Sequence, residues 1–144
     1  MVGCTLAFAS PLMAHDEGHG PKLADTGNFG GIITAVVEAK DASKGAAAPL
    51  VYKAELTRSE DKTVRIYVYG LDMKALPATQ LGPKAEAKII TMVGGKESVT
   101  PFSLTLENNA YVGKMPAPAG KPYNIDVTFK SGNKDLLAAF DNLD

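Results

Sequence analysis

Apolar and polar residues alternate along most of the chain, in short runs that are separated by turn residues. In the clearest run, Tyr123, Ile125, Val127 and Phe129 alternate with polar neighbours. Strict alternation is typical of a β-strand with one buried and one solvent-facing side. Together with one β-branched run, the alternating runs predict strands at residues 32–37, 50–57, 64–69, 85–93, 99–106, 110–115, 123–129 and 136–140.

Turn signals recur about every ten residues between these runs. The polar turn at residues 59–62 joins two alternating runs and predicts an antiparallel hairpin. Residues 71–84 break the alternation, contain two prolines and predict a long crossover connection. Seven or eight short strands with no sustained helical period predict an all-β, antiparallel two-sheet sandwich. A closed barrel is the alternative.

The N-terminal residues follow a different pattern. The first 14 residues carry no charge and end in small residues before the polar sequence HDEGHGPK. This is typical of a secretory signal cleaved after Ala14, and it predicts a periplasmic or secreted protein. Two alternatives stay open, a buried N-terminal strand or helix and a lipoprotein signal with Cys4 lipidated. The run is too short to span a bilayer.

The predicted organisation therefore has three parts. Residues 1–14 are a signal-like segment, residues 15–28 are a mobile leader rich in His, Asp and Gly, and residues 29–144 are one β-domain. Because Cys4 is the only cysteine, no intramolecular disulfide can form. The oligomeric state expected for such a domain is a monomer or a weak oligomer.

Charge and residue types exclude several classes of function. The 144 residues include 15 basic and 16 acidic side chains, so the net charge of -1 gives no reason to expect a nucleic acid as partner. Cleavage after Ala14 would remove the only thiol, and both histidines lie in the leader, so no Ser–His or Cys–His pair can form in a packed cleft. No phosphate-binding or dinucleotide-binding motif is present. The chain is therefore expected not to be an enzyme.

The leader carries the candidate metal ligands. A mature chain that begins at His15 offers its free amine and its ring nitrogen to one metal ion, and Asp16, Glu17 and His19 could complete the coordination. Such donors suit Cu(II), Zn(II) or Ni(II). A short tail without rigid support binds weakly, so micromolar or weaker affinity is expected. The alternative is a solvated linker that binds no metal.

Several segments together resemble a known group of proteins. These segments are the exported leader, the Gly30–Gly31 strand start, the Lys-Ala-Glu-Leu strand at residues 53–56, the return strand at residues 64–69 and the strand at residues 85–93. The chain resembles the small periplasmic immunoglobulin-like (Ig-like) domains of bacterial heavy-metal efflux systems. The resemblance implies an Ig-like β-sandwich in a metal-handling neighbourhood, with an efflux adaptor as a possible envelope partner.

Two further groups of side chains have alternative interpretations. Tyr67 and Tyr69 fall on the polar face of their strand and predict either a partner-binding patch or a surface covered by the leader or by residues 71–84. The methionines at positions 73, 92 and 115 have no Met-x-Met spacing, which favours packing or surface roles over Cu(I) binding. The leading interpretation is a non-enzymatic exported binding or accessory domain, which the resemblance links to metal homeostasis. The alternative is a protein–protein interaction module of the cell envelope that binds no metal.

Overall fold

The strands form where the alternation predicts them. The computed structural model of the chain describes residues 20–144, and within this range it contains eight strands. The strands are β1 (Ile32–Glu38), β2 (Tyr52–Arg58), β3 (Thr63–Tyr69), β4 (Lys84–Val93), β5 (Lys96–Glu107), β6 (Ala110–Lys114), β7 (Tyr123–Ser131) and β8 (Lys134–Leu143). Two short 3-10 segments, Ala39–Ala47 and Ala78–Gln80, lie in the connections. The all-β prediction is confirmed.

The eight strands form one closed antiparallel barrel in the order β1-β2-β3-β6-β5-β4-β7-β8. Strands β4, β5 and β6 are a meander, and the long connections at residues 70–83 and 115–122 place β3 beside β6 and β7 beside β4. The ladder from Val36↔Ala138 to Glu38↔Leu136 joins β1 to β8 and closes the barrel. The first and last strands of the described residues are therefore held in the same hydrogen-bonded sheet.

The predicted Ig-like two-sheet sandwich is wrong, because hydrogen-bonded ladders join the strands around the whole circle. A sandwich keeps its two sheets apart and packs them through side chains alone. Here β3 pairs with β6 through five residue pairs, from Thr63↔Lys114 to Tyr67↔Ala110, and β1 pairs with β8. Alternation along a strand shows which side chains point inward, but it is the same for a sandwich and for a barrel.

The barrel interior is filled by the inward-facing side chains that the alternation predicts. Large residues such as Phe140 and Tyr111 are offset by small residues such as Ala54, Ala87 and Ala138, all fully or almost fully buried. Mixing small and large side chains lets a narrow barrel close around a dry core. A packed interior leaves the outer surface as the place for a ligand.

Part of the outer surface is also apolar and covered. Ala35 and Val37 of β1 and Leu137 and Ala139 of β8 face outward and are nevertheless buried. The 3-10 segment Ala39–Ala47 packs against both strands. Within residues 20–144, no helical segment is long and apolar enough to cross a membrane.

Candidate functional site

An extended segment crosses the outside of the barrel before β1 begins. This segment, residues 20–31, is called the strap below. Along its first half Pro21, Leu23, Asp25 and Gly27 are half-buried, and the residues between them are exposed. A period of two is the pattern of an extended chain with one side against a surface. The strap therefore lies on the barrel like an additional, irregular strand.

A buried carboxylate fastens the C-terminal end of the strap. Glu55 points outward from β2, yet it is 0% exposed because the strap covers it. Its Oε2 accepts hydrogen bonds from the backbone N–H groups of Phe29 at 2.9 Å and Gly31 at 2.6 Å. Its Oε1 accepts a bond from the Tyr69 hydroxyl at 2.6 Å. A buried carboxylate is tolerated only when such donors replace its water shell.

Two glycines make this close approach possible. A Cβ atom on Gly27 would overlap the Glu55 carboxylate, and a Cβ atom on Gly31 would overlap the Leu56 carbonyl oxygen. Gly30 lies between them with φ +75°, a conformation that side chains with a Cβ rarely adopt. The glycines are thus required by contact with β2 and by backbone conformation, and the sequence motif Gly30–Gly31 is more than a strand start.

Three further contacts hold the strap. The Asp25 carboxylate forms an ion pair with Lys53 Nζ at 2.9 Å, and the Lys53 side chain is only 12% exposed. The Phe29 ring stacks on Tyr67, with 4.3 Å between the ring centroids and 21° between the planes. The Asn28 side chain donates to the Met73 carbonyl oxygen at 3.3 Å. Of the two alternatives predicted for the outer face at Tyr67 and Tyr69, the structure therefore shows a surface covered by the strap.

The Tyr69 phenol is protonated in this arrangement. Burial raises the pKa of Tyr69 well above its usual value, and the hydrogen bond to Glu55 raises that pKa further. The hydroxyl is 2.6 Å from a carboxylate oxygen, which can only accept, so it acts as the donor. Tyr69, Glu55 and the two strap N–H groups therefore form one polar cluster, which we call the clasp.

The N-terminal end of the strap borders a groove between β1 and β8. The β1–β8 ladder ends at Val36↔Ala138, and beyond it the Thr34 hydroxyl donates to the Ala139 carbonyl oxygen at 2.8 Å. The groove encloses about 770 Å³. It is lined by residues 20–23 of the strap, 32–34 of β1, 139–142 of β8, Gly45 and Ala46.

Gly20 anchors the strap at the edge of this groove. Its N–H donates to the Gly45 carbonyl oxygen at 2.7 Å. A Cβ atom there would lie 2.8 Å from side-chain atoms of both Ala35 and Val37, and its φ of +105° also favours glycine. The backbone at position 20 is thus held by the barrel through contacts that need glycine.

The predicted metal ligands His15, Asp16, Glu17 and His19 lie outside the described residues. The predicted divisions of the chain at residues 14 and 28 likewise stay predictions. Within residues 20–144, no group of three or more His, Cys, Asp and Glu side chains is close enough to hold a metal ion.

The methionines are dispersed over the described structure. Met73 lies in the turn after β3 with φ 66°, Met92 is 60% exposed near the tip of the β4–β5 hairpin, and Met115 packs against the barrel core. Their separate locations give no support for a shared Cu(I) site.

The tip of the β4–β5 hairpin is an exposed apolar surface. The ladder between β4 and β5 extends to Val93↔Lys96, whereas β7 pairs with β4 only as far as Ile90. Met92, Val93 and Val99 are exposed there. Lys96 and Pro101 lie on the outer strand of this hairpin, and residues of these types discourage pairing with another strand.

Glu55 is not recognisable from the sequence as a functional residue, because its position in the alternation assigns it to solvent. Three glycines within five residues, 27, 30 and 31, were the available signal, since a glycine in extended chain often marks a close backbone approach.

Comparison with known proteins finds no matching family model, no matching curated protein and no matching solved structure.

Proposed function

We propose that this chain is an exported, non-catalytic accessory domain that carries a metal ion on its N-terminal leader. The ligands are the amine and ring of His15, the ring of His19 and the carboxylates of Asp16 and Glu17. Cu(II), Zn(II) and Ni(II) are the ions that this donor set suits. The proposed compartment is the periplasm, after cleavage at Ala14, and the proposed partner is an envelope protein such as an efflux adaptor.

The anchor at Gly20 is the observation that carries this proposal. His19 immediately precedes Gly20 in the sequence, and the backbone of Gly20 is bonded to Gly45 and packed on β1. A ligand set that starts from a fixed point loses less conformational entropy on binding than one on a free tail. The packed barrel interior also favours a site on the outside.

A titration of the mature protein with Cu(II), Zn(II) and Ni(II) tests the proposal. A protein that begins at His15 is expected to bind one equivalent with a dissociation constant of about 1 μM or weaker. A protein that lacks residues 15–19 is expected to show no binding. The matched control carries an acetylated N-terminal amine, which removes that donor from the chelate and should weaken Cu(II) binding about tenfold.

Equal affinity in all three proteins would refute the metal proposal. Mass spectrometry of the exported protein gives the N-terminal residue independently. If the mature chain begins at another residue, His15 has no free amine and cannot form the proposed chelate of amine and ring.

A second candidate function is a protein–protein interaction module. The observation that favours it is the stack of Phe29 on Tyr67, which leaves Phe29 61% exposed on the outside of the barrel. Exposed aromatic rings on a polar surface are a common feature of partner-binding patches.

A further inference from the structure

The contact between the clasp end of the strap and the barrel is mainly polar. It consists of the bonds to Glu55, the ion pair between Asp25 and Lys53 and the stack on Tyr67. Every one of these barrel groups can be hydrated when the strap leaves, because all of them lie on the outer face of β2 and β3. Detachment of this segment therefore exposes hydratable polar groups and the rings of Tyr67 and Tyr69, and none of these residues belongs to the barrel core.

The same contacts define which segments fit this face. Two backbone N–H groups separated by one residue must point at the Glu55 carboxylate, and the first of the two residues must place an aromatic ring on Tyr67. The positions that Gly27 and Gly31 occupy in the strap must be glycine, because a Cβ atom at either one overlaps β2. An acidic side chain at the position of Asp25 forms the ion pair with Lys53.

We propose that the outer face of β2 and β3 around Glu55, Tyr67 and Tyr69 is a peptide-binding site for extended segments of the pattern Asp-x-Gly-x-aromatic-Gly-Gly. The strap fills the site in cis and so blocks it. The partner is a protein with an extended segment of this pattern, which fills the site when the strap is displaced. This inference rests on the second candidate function and needs no metal, so its outcome is independent of the leader titration.

The experiment uses the full mature chain and a labelled, capped peptide of residues 24–32. The variant Gly31→Ala places a Cβ atom against the Leu56 carbonyl oxygen and should release its own strap. Gly120→Ala is the matched control, because a Cβ atom at position 120 meets nothing within 4 Å. Fluorescence anisotropy measures peptide binding, and hydrogen exchange of the Phe29 and residue 31 amides measures strap release.

The Gly31→Ala protein is expected to bind the peptide with a roughly micromolar dissociation constant. Wild type and Gly120→Ala are expected to bind at least about 100-fold more weakly, because their own straps compete at a high effective concentration. Peptides that carry Gly27→Ala or Phe29→Ala should lose about tenfold in affinity, the first from the overlap with Glu55 and the second from the missing stack. Adding Glu55→Ala to the Gly31→Ala protein should abolish binding.

A second variant, Asp25→Asn with Phe29→Ala, weakens the strap without any steric overlap and serves if Gly31→Ala does not fold. A strap that exchanges rapidly in either variant while no peptide binds would overturn the proposal. Equal peptide affinity in wild type and variant would also overturn it, as would a strap that stays protected in both variants. Concentration-dependent dimerisation of the wild type that the peptide reverses would assign the site to a second copy and overturn the assignment to a partner protein.

Discussion

Removal of the Tyr69 hydroxyl tests the buried carboxylate directly. Tyr69→Phe keeps the ring, which is 2% exposed, and deletes the donor that lies 2.6 Å from Glu55 Oε1. Tyr111 offers a matched comparison, since it is 0% exposed and its hydroxyl donates to the Gly82 carbonyl oxygen at 2.7 Å. The two substitutions remove the same atom from two buried rings, so they differ mainly in the charge of the acceptor.

The acceptor decides the expected loss of stability. A hydrogen bond to a charged group contributes about 1.5–3 kcal/mol, whereas a bond between neutral groups contributes about 0.5–1.5 kcal/mol. Tyr69→Phe also leaves one oxygen of a buried carboxylate without its donor, which places the loss toward the upper end of its range. We therefore expect the free energy of unfolding to fall by about 2–3 kcal/mol for Tyr69→Phe and by about 1 kcal/mol for Tyr111→Phe.

Urea unfolding of the mature protein, followed by far-ultraviolet circular dichroism, measures both losses. With a slope of about 2 kcal/mol per M urea, the midpoint should fall by roughly 1 M or more for Tyr69→Phe and by roughly 0.5 M for Tyr111→Phe. A loss for Tyr69→Phe equal to or smaller than that for Tyr111→Phe would show that water reaches Glu55, and it would refute the closed clasp.

Two further predictions concern the barrel itself. Burial raises the pKa of the Tyr111 phenol to about 12, above its usual value near 10. The folded state holds this proton more tightly than the unfolded state, so the protonated phenol stabilises the fold. This contribution to the free energy of unfolding is complete below about pH 10 and is lost between about pH 10 and pH 12. Denaturant titrations should therefore show a steeper alkaline decline in stability for wild type than for Tyr111→Phe. Leu104→Ala, at a fully buried interior position, should reduce the free energy of unfolding by about 3 kcal/mol in the same assay, whereas Leu71→Ala, at a position 55% exposed, should change it by less than about 0.5 kcal/mol.

The strands could be predicted from the sequence because each strand is a local pattern. A run such as residues 123–129 contains its own alternation, and the structure places β7 at Tyr123–Ser131. Closure of the barrel could not be predicted in this way, because it depends on pairing between β1 and β8, about 100 residues apart in the chain. The three pairs of that ladder involve Val36, Val37 and Glu38, which would be equally suitable for the edge of an open sheet.

Glu55 was not predicted for a related reason. The pattern around it, Lys53-Ala54-Glu55-Leu56, assigns the charged residues to the solvent side, and the structure does place them on the outer face of β2. The pattern cannot show that a second layer covers that face, because the strap comes from another part of the chain. The strap also contacts Glu55 through backbone N–H groups, which every residue except proline has, so its side chains do not mark the contact. Only the glycine spacing of the strap carries information about this contact.

The two ends of the strap differ in the physical basis of their contacts. At Gly20 the contact combines a backbone hydrogen bond to Gly45 with close packing of the glycine against Ala35 and Val37. At the clasp it is polar, and each group of the barrel that it uses can be satisfied by water. Displacement by a competing segment therefore opens the clasp first and leaves the anchor at Gly20 in place. The strap can therefore stay attached at Gly20 while it leaves the peptide-binding site. The proposed metal site on the leader and the proposed peptide-binding site are thus compatible in one molecule.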